Sequence, residues 1–315
     1  MKTRREAVWE VLTQVNQVIL GKETLTSEVM AALLAGGHVL LEDLPGAGKT
    51  TLALAFSKLL GLQWRRVQFT PDVLPSDLTG FSIFRKDLQK FVYQPGAVFC
   101  NVLLADEINR TSPKTQSALL EVMEEQQVTV EGVTRKVPSP FFVIATQNPV
   151  GTAGTQMLPP AQIDRFLICA SMGYPDFESE VAMAKGAGPD RRTDGLTPVL
   201  DARMLQGIRE EIEQVFVHDS IYRYIVRLTT ATRNHPDFEM GASPRGTIAL
   251  VRMAKVTAWM TGNDFVSPAD VASQFLPVMN HRVRLNTRAR MEGTEKDSVL
   301  MKILEREERP CLKRK

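Results

Sequence analysis

The residues with the clearest chemical potential are Gly46, Gly48, Lys49 and Thr50, within the run Asp43-Leu44-Pro45-Gly46-Ala47-Gly48-Lys49-Thr50. An apolar run, Val39-Leu40-Leu41, precedes them, and a segment of helical character, Thr51–Leu60, follows. A loop in that setting can close its backbone N–H groups around phosphate oxygens, because glycines lack a Cβ that would keep the ligand away. The helix start adds the positive end of its dipole. Lys49 supplies a point charge for the outer phosphates and Thr50 a hydroxyl for Mg²⁺, with Pro45, Ala47 and Thr51 completing the cradle. The full pattern has glycine where Asp43 stands, while the Gly-x-Gly-Lys-Thr half is intact. A glycine turn before a helix is the plain alternative, and the strand-loop-helix context argues against it.

A second set lies downstream. The apolar run Asn101–Ala105 ends in Asp106-Glu107. Two carboxylates at the C-terminal end of a strand stand where open α/β sheets bind ligands. Asp106 can hold Mg²⁺ through its water shell, and Glu107 can polarise an attacking water. Acidic residues after strands are also common turn formers, so the pair draws its meaning from the phosphate-binding loop before it. Phe141–Thr146 ends in Gln147-Asn148, and Asn148 could position a water or touch a phosphate, or simply form a turn. Asp164-Arg165-Phe166 precedes the last strand; Arg165 could reach a neighbouring subunit's phosphate or make an ordinary surface salt bridge.

The elements that must carry these residues alternate. Val8, Leu12, Val15 and Ile19 recur at helical spacing, and Gly21 ends that helix; a second helix is expected from Ser27 to Ala35. Strands are expected at Val39–Leu41, Arg66–Phe69, Asn101–Ala105, Phe141–Thr146 and Leu167–Ser171, with a helix over Ser112–Glu125 opened by Pro113. Strands alternating with helices predict a parallel α/β sheet. Phe81–Tyr93 and Val128–Val137 read as β-hairpin insertions. Strand signals end near Tyr174-Pro175, Gly186–Pro198 reads as a linker, and everything beyond is expected to be helical. Ser243-Pro244 and Ser267-Pro268-Ala269-Asp270 are helix starts with a cap and a proline in the first turn. The charged end, Glu305–Lys315, is expected to be solvated.

Composition bounds the rest. The 315 residues suggest two domains, and 43% hydrophobic with 23% charged residues is an ordinary globular balance, which excludes a wholly disordered or collagen-like chain. With 38 basic and 36 acidic residues the net charge is +2, which makes no case for a dedicated nucleic-acid binder. Cys100, Cys169 and Cys311, and the histidines His38, His218, His235 and His281, are scattered without metal-ligand or disulfide spacing. No apolar run approaches the roughly 18–20 residues of a membrane span. Lys2, Arg4 and Arg5 are not followed by a continuous apolar stretch, so no leader is expected and the cytoplasm is the expected compartment.

Taken in order, Leu40–Thr50, Leu103–Arg110, Ala145–Pro149, Asp164–Phe166 and Gly241–Gly246 resemble the motifs of an AAA+ ATPase. Gln68–Asp72 with Leu74–Gly80, the block Ala105–Leu120, Ala145–Val150, and Ala231–Pro236 narrow the resemblance to the MoxR family over roughly residues 5 to 285. The resemblance implies an αβα nucleotide-binding core over 1–185, a linker over 186–198, a small all-α lid over 199–290 and a charged tail over 291–315. It implies ATP and Mg²⁺ as cofactors, bound between core and lid and between subunits of a homo-oligomeric ring, usually a hexamer. Lys49 and Thr50 then match Walker A, Asp106 and Glu107 Walker B, Asn148 sensor 1, Arg165 the arginine finger, and Arg245 the lid residue expected to touch the γ-phosphate. Leu20 and Gly21 match the segment lining the adenine pocket. Residues 78–95 match the helix-2 insert and 128–138 the pre-sensor-1 hairpin. Pro160 stands where the family usually has glutamate, and Gly151–Met157 lacks the family's acidic and aromatic character.

The function implied is ATP-driven remodelling or maturation of a partner protein, with a von Willebrand factor type A domain protein as the expected partner. A nucleotide-controlled binding switch is the competing reading. A nucleic-acid motor is a third, disfavoured by the near-neutral charge and by the modest basic content of Phe81–Tyr93, in which Arg85, Lys86 and Lys90 are offset by Asp87.

Overall fold

The computed structural model describes residues 2–42, 48–147, 157–185 and 193–310. In chain order the first half contains α1 (Arg4–Val18), α2 (Glu23–Leu34), β1 (Val39–Glu42), α3 (Lys49–Leu59), β2 (Trp64–Gln68), α4 (Pro75–Thr79), β3 (Gly80–Arg85), β4 (Lys90–Pro95), β5 (Val102–Asp106), α5 (Pro113–Glu125), β6 (Gln127–Val130), β7 (Val133–Lys136), β8 (Phe142–Gln147), α6 (Pro160–Ile163), β9 (Ile168–Ala170) and α7 (Phe177–Lys185). The second half adds α8 (Ala202–Glu213), α9 (Asp219–Arg233), β10 (Phe238–Met240), α10 (Pro244–Met260), α11 (Pro268–Met279), β11 (Arg284–Leu285), α12 (Thr287–Met291) and α13 (Lys296–Arg306).

Five strands form one parallel sheet in the order β2-β5-β8-β1-β9. Parallel strands are covered on both faces, which is why β5 and β8 read as unbroken apolar runs. Period-two alternation splits their side chains between two cores. Val39, Leu41, Val102, Leu104, Phe142 and Ile144 face the helices α1–α3 and the C-terminal helices. Leu40, Leu103, Ala105, Val143 and Ala145 face α5 and the hairpins. The β3–β4 and β6–β7 hairpins are separate two-stranded ribbons beside the sheet. They brace one another: Ser82 Oγ donates to Glu131 at 2.6 Å, and the Arg135 guanidinium lies 3.8 Å over the Tyr93 ring.

The caps match their sequence signals. Ser112, Ser243 and Ser267 each accept a hydrogen bond from a first-turn N–H of the helix they open, and Asp270 closes a capping box with Ser267. The second helix begins four residues earlier than Ser27, at Glu23, because its start at Lys22 has no side-chain cap to mark it.

Two expectations for the C-terminal part are corrected. It is not wholly helical: β10 pairs antiparallel with β11, Phe238 opposite Leu285 and Met240 opposite Arg284. Strands of three and two residues are too short for alternation to reveal them. Nor is the charged end from 291 onward a free tail. Residues 296–306 form α13, which buries Val299, Leu300, Ile303 and Leu304. The charges of this segment are the outer face of a docked helix, and Arg227 ties its end down through Glu307 and the Glu308 carbonyl. Among the described residues no helix is long and apolar enough to cross a membrane.

His38 packs between α5 and the sheet. Its Nε2 is 3.0 Å from the Met123 carbonyl, and its Nδ1 accepts from the Val143 N–H at 2.9 Å, which fits a neutral ring carrying its proton on Nε2. Burial pulls its pKa down to about 4. A buried base with a depressed pKa binds fewer protons folded than unfolded, so stability is lost as pH falls from about 6.5 toward 4. The loss from this one residue is about 2 kcal/mol at pH 5. Denaturant midpoints of wild type and His38→Gln between pH 7 and pH 4.5 check this. The wild-type curve should fall more steeply with acid, and parallel curves would contradict the assignment.

Candidate functional site

The C-terminal edge of the parallel sheet gathers the first group of residues. β1 ends at Glu42, and α3 opens at Lys49 behind Gly48, whose φ of +84° is the left-handed conformation that glycine adopts without strain. Leu52, Ala53, Ala55, Phe56 and Leu59 bury one side of α3 and fix its start against the sheet. The first intrahelical bond runs from the Leu52 N–H to Gly48, so the N–H groups of Lys49, Thr50 and Thr51 lie ahead of the helix ladder, where an anion is favoured. Lys49 itself is buried, at 8% exposure. Pro45, Gly46 and Ala47 lie outside the described residues.

Asp106 and Glu107 sit on the same edge, at the end of β5. Asp106 Oδ1 accepts from the Thr146 hydroxyl at 2.6 Å, and Oδ2 pairs with Arg66 at 2.7 Å. Glu107 takes a left-handed backbone, φ +57°, and so turns away from the strand. Its N–H donates to Thr146 Oγ1 at 2.8 Å, and its Oε2 accepts from Arg110 Nη1 at 2.7 Å. One hydroxyl therefore orders both acidic residues. Thr146, Arg66 and Arg110 were not singled out in the sequence. The signal for Thr146 is the register of β5 with β8, Ala105 opposite Ala145, which sequence order does not reveal. Gln147 bonds Glu42 across β8 and β1, and Asn148 lies outside the described residues.

Gly21, with φ +67°, closes the turn between α1 and α2. Beside it a pocket of about 340 Å³ is lined by Leu25 and Glu28 of α2, Met172 after β9, and Leu276 and Pro277 of α11. Met172 joins this pocket to the turn at Gly48, since its Cε lies 3.7 Å from where a side chain on Gly48 would begin. Leu20 is half-buried just before the pocket.

Arg165 and Arg245 are elsewhere. Both pair with Glu124 at the end of α5, at 3.3 Å and 2.7 Å, and Arg245 also approaches Asp164 at 3.7 Å. They line a cleft with Gly36, Gly37 and His38, which is the entry to β1 and not its exit. The length of β1, roughly 3.3 Å for each of its residues, therefore stands between this cleft and the start of α3. Arg245, expected to touch a γ-phosphate, lies on the sheet edge opposite Lys49 of its own chain. Arg282 holds this arrangement together. It is buried, pairs with Asp164 at 2.9 Å, and donates to the Phe166 and Leu167 carbonyls, bolting α11 to the segment that carries Arg165. Burial lowers its pKa to about 10, which leaves it cationic at neutral pH. Pro160 does not disturb this segment, because it occupies the first turn of α6, where its missing N–H is not needed.

The arrangement can bind a phosphate chain at one sheet edge, beside carboxylates that can order water and a hard cation. At the other edge it presents two guanidinium groups outward.

Comparison with known proteins agrees. Residues 38–168 match the family model described as the ATPase family associated with various cellular activities (AAA), and residues 230–303 match the AAA lid domain. YeaC, an uncharacterised protein of Bacillus subtilis, is 44% identical over 94% of this chain and 92% of its own. The chaperone MoxR1 of Mycobacterium tuberculosis is 37% identical over 96% of this chain and 81% of its own. A crystal structure from Cytophaga hutchinsonii, of a protein assigned as an ATPase, superposes with a TM-score of 0.89 at 36% identity, covering 98% and 96% of the two chains. With the α/β sheet, the helical lid and the motif order, these relationships establish that the chain belongs to the MoxR family of AAA+ ATPases.

Proposed function

We propose that this chain hydrolyses ATP at a site completed by a second copy of itself, and uses the cycle to remodel a partner protein. The observation that carries the reading is the division of the charged groups between the two sheet edges. Lys49, Thr50, Asp106 and Glu107 occupy one edge, and Arg165 and Arg245 the other. Guanidinium groups that cannot reach their own chain's phosphates can serve those of a neighbour. Such a heterologous contact, repeated, closes a ring, and a hexamer is the ring size the family relationship supports.

In this reading the N–H groups at the start of α3 and the Lys49 ammonium hold the phosphates. The hydroxyl of Thr50 and the carboxylate of Asp106 are hard oxygen donors that suit Mg²⁺. When bound, Mg²⁺ neutralises charge on the β- and γ-oxygens. Glu107 orders the attacking water, with Thr146 fixing its backbone, and Asn148 is placed by the sequence to assist. Arg165 and Arg245 of the adjacent subunit stabilise charge on the transferred phosphoryl group. Leu20 and Gly21 border the base.

The M. tuberculosis relative's name supports a chaperone-like role, and the hairpins suit one. Phe84 and Phe91 stack edge to face at the exposed end of the β3–β4 ribbon, with Leu88 beyond them. An apolar tip fits a protein client better than a nucleic acid, and a von Willebrand factor type A domain protein remains the partner we favour. A nucleotide-gated switch has one observation in its favour: both acidic residues are engaged by arginines, Arg66 on Asp106 and Arg110 on Glu107. Slow turnover would then gate partner binding.

The test is ATPase rate per subunit against protein concentration. A composite site predicts a rate that rises steeply as subunits assemble and then levels. A rate independent of concentration, down to where monomers dominate, would refute the composite site. In the same assay, paired Phe84→Ser and Phe91→Ser substitutions at the hairpin tip should leave the basal rate unchanged and remove stimulation by a partner.

A further inference from the structure

We infer that Glu28 reads the 6-amino group of the adenine base and so sets the nucleotide preference of the site; the inference rests on the ATPase reading above. Three observations converge on it. First, Glu28 lines the pocket that Gly21, Leu25, Met172, Leu276 and Pro277 enclose, and Met172 connects that pocket to Gly48. A purine whose phosphates lie at the start of α3 has this pocket as its neighbouring recess. Its volume of about 340 Å³ falls within the range of small-molecule sites.

Second, Glu28 differs from the other polar side chains around the recess: Glu23 and Thr24 stand exposed to solvent at its rim, and others are engaged through their donors. Lys22 donates to the Tyr174 carbonyl at 2.7 Å, and Asn280 donates to Asp297 at 2.6 Å. Ser171 has bonding of its own. Leu25, Met172, Leu276 and Pro277 offer only apolar walls, which suit the faces of a purine ring. The half-buried Glu28 carboxylate, in contrast, makes no hydrogen bond or ion pair with any described residue. A half-buried carboxylate without a partner is costly, and burial raises its pKa accordingly. Leu25 and Val29 on the same helix are buried in the core, so α2 cannot roll to carry Glu28 into water.

Third, the chemistry is selective. An ionised carboxylate accepts hydrogen bonds and donates none. The 6-amino group of adenine is a pure donor at the edge furthest from the ribose. Guanine carries O6 at the same place, a lone pair facing a negative charge. Hydrogen bonds to a charged acceptor are among the stronger ones, and one is enough for discrimination of about tenfold or more.

The experiment measures binding of three nucleoside diphosphates to the full chain: ADP, its analogue lacking the 6-amino group (purine riboside diphosphate), and GDP. Diphosphates keep hydrolysis out of the readout. Wild type should bind ADP about tenfold or more tightly than the deamino analogue, with GDP weaker still. In Glu28→Ala the three affinities should draw together, mainly through loss of ADP affinity. Glu28→Gln keeps an acceptor oxygen and should retain part of the preference, which separates base reading from damage to the fold. Equal wild-type affinity for ADP and the deamino analogue overturns the assignment, as does a preference that survives in Glu28→Ala. GDP binding tighter than ADP overturns it too, since the carboxylate would then be serving the other edge of the purine. Failure of wild type to bind any of the three overturns the ATPase reading, and this inference with it.

Discussion

Subunits carrying Arg165→Ala, inactive alone, should recover ATPase activity when mixed with subunits carrying Lys49→Ala. The first variant keeps an intact phosphate-binding turn and lacks the arginine it would lend. The second has the reverse defect. In a mixed ring, an interface is complete where an Arg165→Ala subunit supplies the nucleotide site and a Lys49→Ala subunit supplies the arginine. With random assembly, recovery should peak near equal mixing, at about a quarter of the wild-type rate. Arginines acting this way contribute about 10³–10⁵-fold in related phosphoryl-transfer systems, so the background is low and the recovery easy to read.

The position of Arg245 adds a sharper arm. Arg165 and Arg245 share Glu124 as a partner and line one cleft at the entry to β1. If both serve the neighbour, every interface formed from Arg165→Ala and Arg245→Ala subunits lacks one of the two guanidiniums. Those two variants should then fail to rescue each other, while Arg245→Ala should be rescued by Lys49→Ala. Were Arg245 to act on its own chain's nucleotide, Arg165→Ala mixed with Arg245→Ala would recover. Rate against mixing ratio, with co-assembly shown by sedimentation, decides between them. Recovery in that last mixture would return Arg245 to its own active site.

The second large effect belongs to Glu107. Its substitution by Gln keeps the shape and the Arg110 contact but removes the negative charge that can take a proton from water. ATP affinity should be nearly unchanged, and turnover should fall by about 10²–10⁴-fold, the range of a general base. Lys49→Ala should instead lose nucleotide binding. Titration with a fluorescent ATP analogue, alongside phosphate release, separates the two. A Glu107→Gln enzyme with full turnover would remove the water-activating role. Thr146→Val offers a related check, since Thr146 Oγ1 accepts from the Glu107 N–H and donates to Asp106.

Much of the architecture was legible in the chain itself, and the reason is range. Ser112-Pro113, Ser243-Pro244 and Ser267-Pro268-x-Asp270 place helix starts because a cap and its N–H partner lie within a few residues of each other. The runs at Val39–Leu41, Val102–Ala105 and Phe142–Thr146 announce a buried parallel sheet because strands covered on both faces must be apolar throughout. Gly48-Lys49-Thr50 and Asp106-Glu107 stand out because their chemistry is carried by neighbouring residues, and both are found at the sheet edge that strand polarity assigns them.

Tertiary structure decided whatever depends on residues far apart in the chain. Glu124 and Arg245, paired at 2.7 Å, are 121 residues apart in sequence. No local pattern says that the lid helix brings Arg245 beside Arg165 and leaves it on the far edge from Lys49. That outcome is set by the buried Arg282–Asp164 pair and by how α11 packs on β9. The arginines on Asp106 and Glu107, the short β10–β11 ribbon, the docked α13 and the pocket around Glu28 were likewise fixed by packing. Sequence periodicity reports which face of an element is buried; it does not report against what. The identity of the residues was written in the chain, but which of them serve the same nucleotide, and whether they come from one subunit or two, depends on the three-dimensional placement of edges that sequence order leaves open.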